Sequence, residues 1–159
     1  MKRTALKRGT SQMKRSGFKK KATKPMKRVK LSKSGKSSIS KLKKKLWIAF
    51  GAYIRKRDGG ICFICNRKSE GSGYHAGHFI PKSVGGLALY FHEDNVHGCC
   101  YHCNINLGGN LYEYGVKLGE ERVKTLYKLK GLITKMSTED YEKKITEYQV
   151  KLLALEKQL

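Results

Sequence analysis

Two Cys-x-x-Cys pairs, Cys62/Cys65 and Cys100/Cys103, constrain this chain more than any other feature. Each pair sets two thiolates on one side of a tight turn, which is half of a tetrahedral zinc site. Two pairs complete the tetrahedron and tie together segments separated by 34 residues. That interval exceeds the roughly 15–20 residues of a zinc ribbon, so the pairs bracket a sizeable insert. Cys99 competes with Cys100 for the third ligand position. It would give an x3 spacing and leave Cys100 spare, so Cys100 is the expected ligand. The plainer alternative is four buried, reduced cysteines. Five cysteines, four of them in tight pairs, favour metal binding in a reducing compartment over a disulfide framework.

The insert holds residues suited to phosphodiester hydrolysis. That reaction needs a base to activate water and a metal to neutralise charge at phosphorus and on the departing 3′ oxygen. Histidine suits the base because its ordinary pKa lies near neutrality. His78 stands just before a turn, in His-Phe-Ile-Pro-Lys-Ser-Val-Gly-Gly, and is the candidate base. Asn104 directly follows the last zinc cysteine, so the zinc would fix its position as a ligand for Mg²⁺ or Mn²⁺.

Composition points to a partner class only through its distribution. The 159 residues carry a formal charge of +23. Residues 1–45 hold 19 Lys/Arg and no acid, whereas residues 46–159 hold 16 Lys/Arg against all 12 acids. A nearly balanced globular part with a strongly basic arm points to a polyanion, most often nucleic acid. Residues 1–38 have too few apolar groups to offset ordering entropy, which predicts a disordered arm. Within it an apolar residue precedes two cations four times: Leu6-Lys7-Arg8, Met13-Lys14-Arg15, Phe18-Lys19-Lys20 and Met26-Lys27-Arg28. The plain reading is a solubilising tail. The functional one is an arm that tracks phosphates through Lys14, Arg15, Lys19, Lys20, Lys27 and Arg28. No stretch approaches the roughly 18 apolar residues of a membrane span, and the amino terminus lacks the apolar run of a secretory signal. These features predict a soluble, cytoplasmic protein.

Residues 39–159 read as a single domain. A helix is expected from Ile39 to about Arg57, with Leu42, Leu46, Ile48/Ala49, Phe50, Tyr53 and Ile54 at helical spacing, ended by Asp58-Gly59-Gly60. Trp47 reads as a core residue. A zinc-bearing core spans 61–110: the first knuckle, a strand over Tyr74–Ile80, a turn at Gly85-Gly86, a returning strand over Asn95–Cys99, and a helix carrying Cys103 and Asn104. Helices fill 111–159. One has Leu111, Tyr114 and Leu118 on its apolar side, a second (Glu120–Leu132) has Val123, Leu126, Tyr127 and Leu129, and a last one is capped by Ser137-Thr138-Glu139-Asp140. Tyr141, Ile145, Tyr148, Leu152 and Leu155 line that last helix. The expected class is α+β, mainly helical.

The order His78, Asn95, Asn104 between the Cys pairs resembles the HNH motif of ββα-metal endonucleases. The resemblance implies that His78 is the general base, Asn95 a structural brace and Asn104 a metal ligand on a zinc-stapled ββα core. A closer likeness runs through Trp47, Ala49-Phe50, Tyr53-Ile54-Arg55, Arg57-Asp58, His75-Ala76-Gly77-His78-Phe79, Glu93-Asp94-Asn95-Val96-His97-Gly98, Cys100-x-x-Cys103-Asn104 and Gly109-Asn110. Over roughly residues 46–130 the chain resembles the NinG (Rap) recombination proteins of lambdoid phages. That implies a structure-selective DNA endonuclease acting on branched recombination intermediates in the host-cell cytoplasm. Many HNH enzymes carry Asp or His directly before the base as second metal ligand, where this chain has Gly77. His75 is the substitute, and its odd offset from His78 calls for a bulge or bend at Ala76-Gly77. His92, His97 and His102 read as structural hydrogen-bonders. Asn110 reads as a helix-start brace or DNA contact, and Arg55, Arg57 and Lys82 as phosphate contacts. A paired nick across a junction would favour a homodimer. The rival expectations are a non-catalytic zinc module that binds branched or single-stranded DNA for recombination, and an RNA-associated zinc protein.

Overall fold

The computed structural model describes residues 38–130, 132 and 134–157. The basic arm and its Lys14, Arg15, Lys19, Lys20, Lys27 and Arg28 lie outside the described residues. The described part is mixed α+β and mostly helical: α1 (Ile39–Arg57), β1 (Tyr74–His78), α2 (Lys82–Tyr90), β2 (Val96–Cys100), a π-helical turn (His102–Asn106), α3 (Leu111–Leu118), α4 (Glu120–Lys130) and α5 (Thr138–Glu156).

The two strands form one antiparallel ribbon in register Tyr74↔Cys100, His75↔Cys99, Ala76↔Gly98, Gly77↔His97 and His78↔Val96. Pairing is continuous, so the bulge expected at Ala76-Gly77 is absent from the ribbon. Side chains alternate across a strand, so Ala76 and Val96 face one core and Cys99 the other, while Cys100, at the end of β2, joins the cysteine cluster. One core gathers Cys62, Ile64, Phe79, Ile80, Leu89, Cys99, Cys100, Cys103, Tyr114, Leu118 and Leu126. The other gathers Leu42, Leu46, Phe50, Ile54, Phe91, Val96, Tyr141 and Tyr148, with Ala76 and Trp47 packed against it.

Helix α1 forms because Leu42, Leu46, Phe50 and Ile54 recur every four residues and bury as a single stripe. Arg55, Lys56 and Arg57 close its last turn, where positive charge complements the helix dipole. That stripe packs on α5, where Tyr148 sets its ring edge-on to Phe50 at 4.8 Å and donates to the Phe91 carbonyl at 3.4 Å. Helix α5 starts at Ser137, which accepts from the Asp140 amide while the Asp140 carboxylate accepts from the Ser137 amide at 2.8 Å. Each half of that box satisfies an amide the helix would leave unpaired.

Several expectations change. The segment from Lys82 to Tyr90 is helical rather than a bare turn. The glycine pair does break the chain, since Gly86 adopts φ 65°, ψ −172° inside it, a conformation that suits glycine. Helix flanks the break on both sides, so the Gly-Gly signal marks a kink. Strand β1 ends at His78, because Phe79 and Ile80 turn inward to the core. Ile48, Tyr127 and Leu111 point outward, at 69%, 55% and 43% exposed, so their helices bury narrower stripes than the apolar spacing predicts.

Candidate metal centre and the ribbon that carries it

The first knuckle is built by backbone bonds. The Asn66 amide reaches back to the Cys62 carbonyl at 2.8 Å, and the Cys62 amide donates to the Arg67 carbonyl at 2.9 Å. Asn66 sits in the left-handed region at φ 58°, a conformation asparagine tolerates better than most residues. The Phe63 amide donates to the Gly98 carbonyl at 2.8 Å, docking this knuckle on β2. At the second knuckle the Cys103 amide donates to the Cys100 sulfur at 3.4 Å.

The four thiols of Cys62, Cys65, Cys100 and Cys103 converge, all sulfurs lying within 4.8 Å of one another. Cys65 and Cys100 are 3.7 Å apart. Zinc–sulfur bonds of about 2.3 Å in a tetrahedron place sulfurs roughly 3.8 Å apart, so the donor set fits zinc and these four cysteines could hold a metal of that kind. Burial pushes the Cys62 thiol up, but amide bonds from Cys100, Cys65 and Ile64 outweigh it and bring it down to about 7. Those amides stabilise thiolate, the form that binds metal. Cys99 is excluded by the alternation of β2: it is buried on the other face and donates to the His97 carbonyl. Burial pushes its thiol well above the ordinary value.

Asn104 rides on the π-helical turn that follows Cys103. Its side-chain amide lies 3.2 Å from His75 Nδ1. His75 Nε2 donates to the Ser72 carbonyl at 2.8 Å, which leaves the lone pair on Nδ1, facing Asn104. A backbone carbonyl orienting the far ring nitrogen is the usual support of a metal-ligating histidine. Gly77 sits directly against this pair. A Cβ at position 77 would stand 2.9 Å from Asn104 Oδ1 and 3.0 Å from Cys99 Sγ.

His78 looks the other way, three residues and about 10 Å along β1 from His75. Its ring stacks on Trp47 at 5.1 Å, and Nε2 donates to the Tyr90 carbonyl at 3.0 Å. Nδ1 makes no hydrogen bond among the described residues. Burial pushes this imidazole down to about 4, against the Tyr90 bond and aided by the Lys82 charge, so it is a neutral acceptor at ordinary pH. His75 and Asn104 are therefore brought together, and Asn104 also borders the position next to His78.

Asn95 is fully buried and uses three bonds to span the β1–β2 connection: it accepts from the Ile80 amide and donates to the Ile80 and Leu89 carbonyls at 2.8, 3.1 and 3.0 Å. Arg57 clamps Asp58, with Nε 2.6 Å from Oδ1, and donates to the Glu93 and Val96 carbonyls. Asp58 in turn accepts from the Gly98 amide at 2.6 Å. The Arg57 guanidinium is thus committed to the start of β2, while Arg55 is exposed at the end of α1. Lys82 lies over the Trp47 ring at 4.0 Å. His97 stacks on Phe63 at 3.9 Å and bonds the Tyr114 hydroxyl, which donates to the Gly77 carbonyl. His92 accepts from the Asp94 amide, and His102 lies 3.4 Å from the Asn106 amide. Asn110, at φ 42°, starts α3 without a side-chain cap. Sequence reading missed Asp58 and Tyr90 as supports; Trp47 packs against the core as expected and also stacks on His78. The motif Arg57-Asp58 held the signal for Asp58, whereas Tyr90 reaches His78 through its carbonyl and leaves no mark in residue type.

A family model described as "NinG: Bacteriophage Lambda NinG protein" matches residues 1–158. Protein ninG of Escherichia phage lambda is 35% identical over 80 residues, covering 47% of this chain and 38% of the relative. Protein ninG of Enterobacteria phage H19B is 34% identical over 79 residues, covering 47% and 39%. The matched stretch is thus about two-fifths of those relatives' length. No solved structure matches.

Proposed function

The chain belongs to the NinG family of phage proteins, and on that premise we propose that it is a metal-dependent DNA endonuclease of the HNH type acting on branched recombination intermediates. The observation that carries this reading is the placement of Asn104. It follows a four-cysteine cluster that fits zinc, faces the lone pair of His75 and borders the position next to His78. The Asn104 side-chain oxygen (after a rotation of the amide) and His75 Nδ1 would hold a divalent cation, the oxygen suiting Mg²⁺ or Mn²⁺ and the imidazole favouring Mn²⁺ of the two, with the remaining positions left to phosphate and water. Such a cation, when bound, supplies charge neutralisation at the scissile phosphate and the leaving 3′ oxygen. His78 takes the proton from the attacking water at Nδ1, its other nitrogen being held by the Tyr90 carbonyl. Asn95 keeps the β1–β2 connection rigid behind it. The products are 5′-phosphate and 3′-hydroxyl ends. The arm, with Arg55 and Lys82, contributes affinity for phosphates, and each neutralised phosphate steepens the salt dependence by about 0.9 log units.

The test is cleavage of a labelled branched duplex with and without Mg²⁺ or Mn²⁺, comparing wild type with His78→Ala after both are shown to keep zinc and DNA affinity. The expected outcome is metal-dependent cutting that falls about 10²–10⁴-fold in the variant. Tight binding without cutting, in any divalent metal, would replace this reading with a zinc-stapled, non-catalytic DNA-binding accessory protein.

A further inference from the structure

Beside His78, on the outer side of α1, an open cavity of about 470 Å³ is lined by Ser40, Lys43, Lys44, Trp47, Ile48 and Tyr90. Two aromatic rings meet there edge to face, Trp47 and Tyr90, with centroids 5.6 Å apart. Lys43 holds its ammonium 4.1 Å from the Tyr90 centroid, and Lys82 stands 4.0 Å from that of Trp47 and 5.5 Å from that of Tyr90. Among the described residues none of Lys43, Lys44 and Lys82 has a salt-bridge partner, unlike Lys124 and Lys151. Ile48 leaves an apolar side chain 69% exposed on this wall. Aromatic and apolar walls ringed by unpaired ammoniums match the chemistry of a nucleotide, a flat base inside and phosphates at the rim.

We propose that this cavity binds an unpaired nucleotide of the DNA substrate and thereby sets it next to His78. The proposal deepens the DNA reading above and rests on it. Lysine side chains are flexible, so a base taking an aromatic face displaces the ammonium to the neighbouring phosphate, exchanging a cation–π contact for an ion pair. Paired bases have their faces covered by stacking and cannot enter, whereas an unpaired base at a branch can turn out of the helix. Trp47 stacks on His78, so a base seated here brings its adjoining phosphate to the candidate base. Selectivity for branched DNA then resides in α1 and α2, separate from the arm that supplies affinity.

Trp47 is the sole tryptophan, which makes the cavity directly visible by fluorescence. The zinc-loaded full chain is titrated at fixed salt with oligothymidylate of about ten nucleotides, with a blunt hairpin duplex and with inorganic polyphosphate. Anisotropy of dye-labelled DNA reports total binding in parallel. Saturable change of Trp47 emission by oligothymidylate alone is expected. Ile48→Glu, at an exposed position, and Tyr90→Leu should each weaken that response roughly tenfold while leaving duplex anisotropy unchanged. An equal Trp47 response to duplex or polyphosphate would overturn the proposal, as would wild-type oligothymidylate binding in Ile48→Glu. DNA binding seen by anisotropy without any Trp47 response sinks the cavity alone. Absence of DNA binding even at low salt sinks the DNA reading and the cavity with it.

Discussion

The core around the cysteine cluster and the core between α1 and α5 differ in what holds them. The first surrounds four converging sulfurs that could hold a metal, on two short knuckles, with turns and brief helices around them. The second is an interface between two 19-residue helices, α1 and α5, closed by Phe50, Phe91 and Tyr148. Short loops bury little apolar surface and need a staple. Long amphipathic helices bury enough to hold each other. The candidate chemistry follows the same division. His75 and Asn104 are positioned by the stapled side, whereas His78 is positioned by Trp47 of α1 and the Tyr90 carbonyl. A site assembled across the ribbon therefore depends on both sides.

Removing the metal should give the largest effect. Structural zinc contributes on the order of 10 kcal/mol in small zinc folds, so chelation, or Cys103→Ser, should abolish amide-exchange protection at Phe63 and Asn66. Protection inside α1 and α5 should persist. Equal loss in both would show the two cores to be one cooperative unit, and the comparison would fail. Next is Phe50→Ala, which removes a fully buried ring. It should cost about 3–5 kcal/mol by urea unfolding of the zinc-loaded chain, with zinc content unchanged. Loss of zinc in that variant would tie the helix pair to the knuckles. The smallest change is Ser137→Ala, expected to cost about 1 kcal/mol and to lower Tm by a few degrees. Because Ser137 caps α5 alone, exchange at the knuckle amides should not move.

Much of this arrangement was legible in the residues. Helix α1 has the expected bounds because a four-residue apolar stripe ends at a glycine pair. The choice of Cys100 over Cys99 follows from spacing and is explained by strand alternation. The Ser137 cap is a local motif, and it forms as a local motif should. What sequence could not supply was orientation. His78 stacks on Trp47, and Arg57 reaches Glu93 and Val96, through contacts 31 to 39 residues apart in the chain. Helix α2 was hidden because Gly85-Gly86 carries the signature of a turn, whereas the chain stays helical on both flanks and buries Leu89.

The close fit at Gly77 has a consequence for how this protein can change over generations. A side chain at position 77 would have to move the Asn104 amide and press on the Cys99 sulfur. A carboxylate directly before His78 therefore comes with a turned Asn104, although a single nucleotide change can turn a glycine codon into an aspartate codon. The residue before His78 and the partner of His75 are thus coupled: a change at position 77 is read first at Asn104, and accommodation at Cys99 decides how well it is borne.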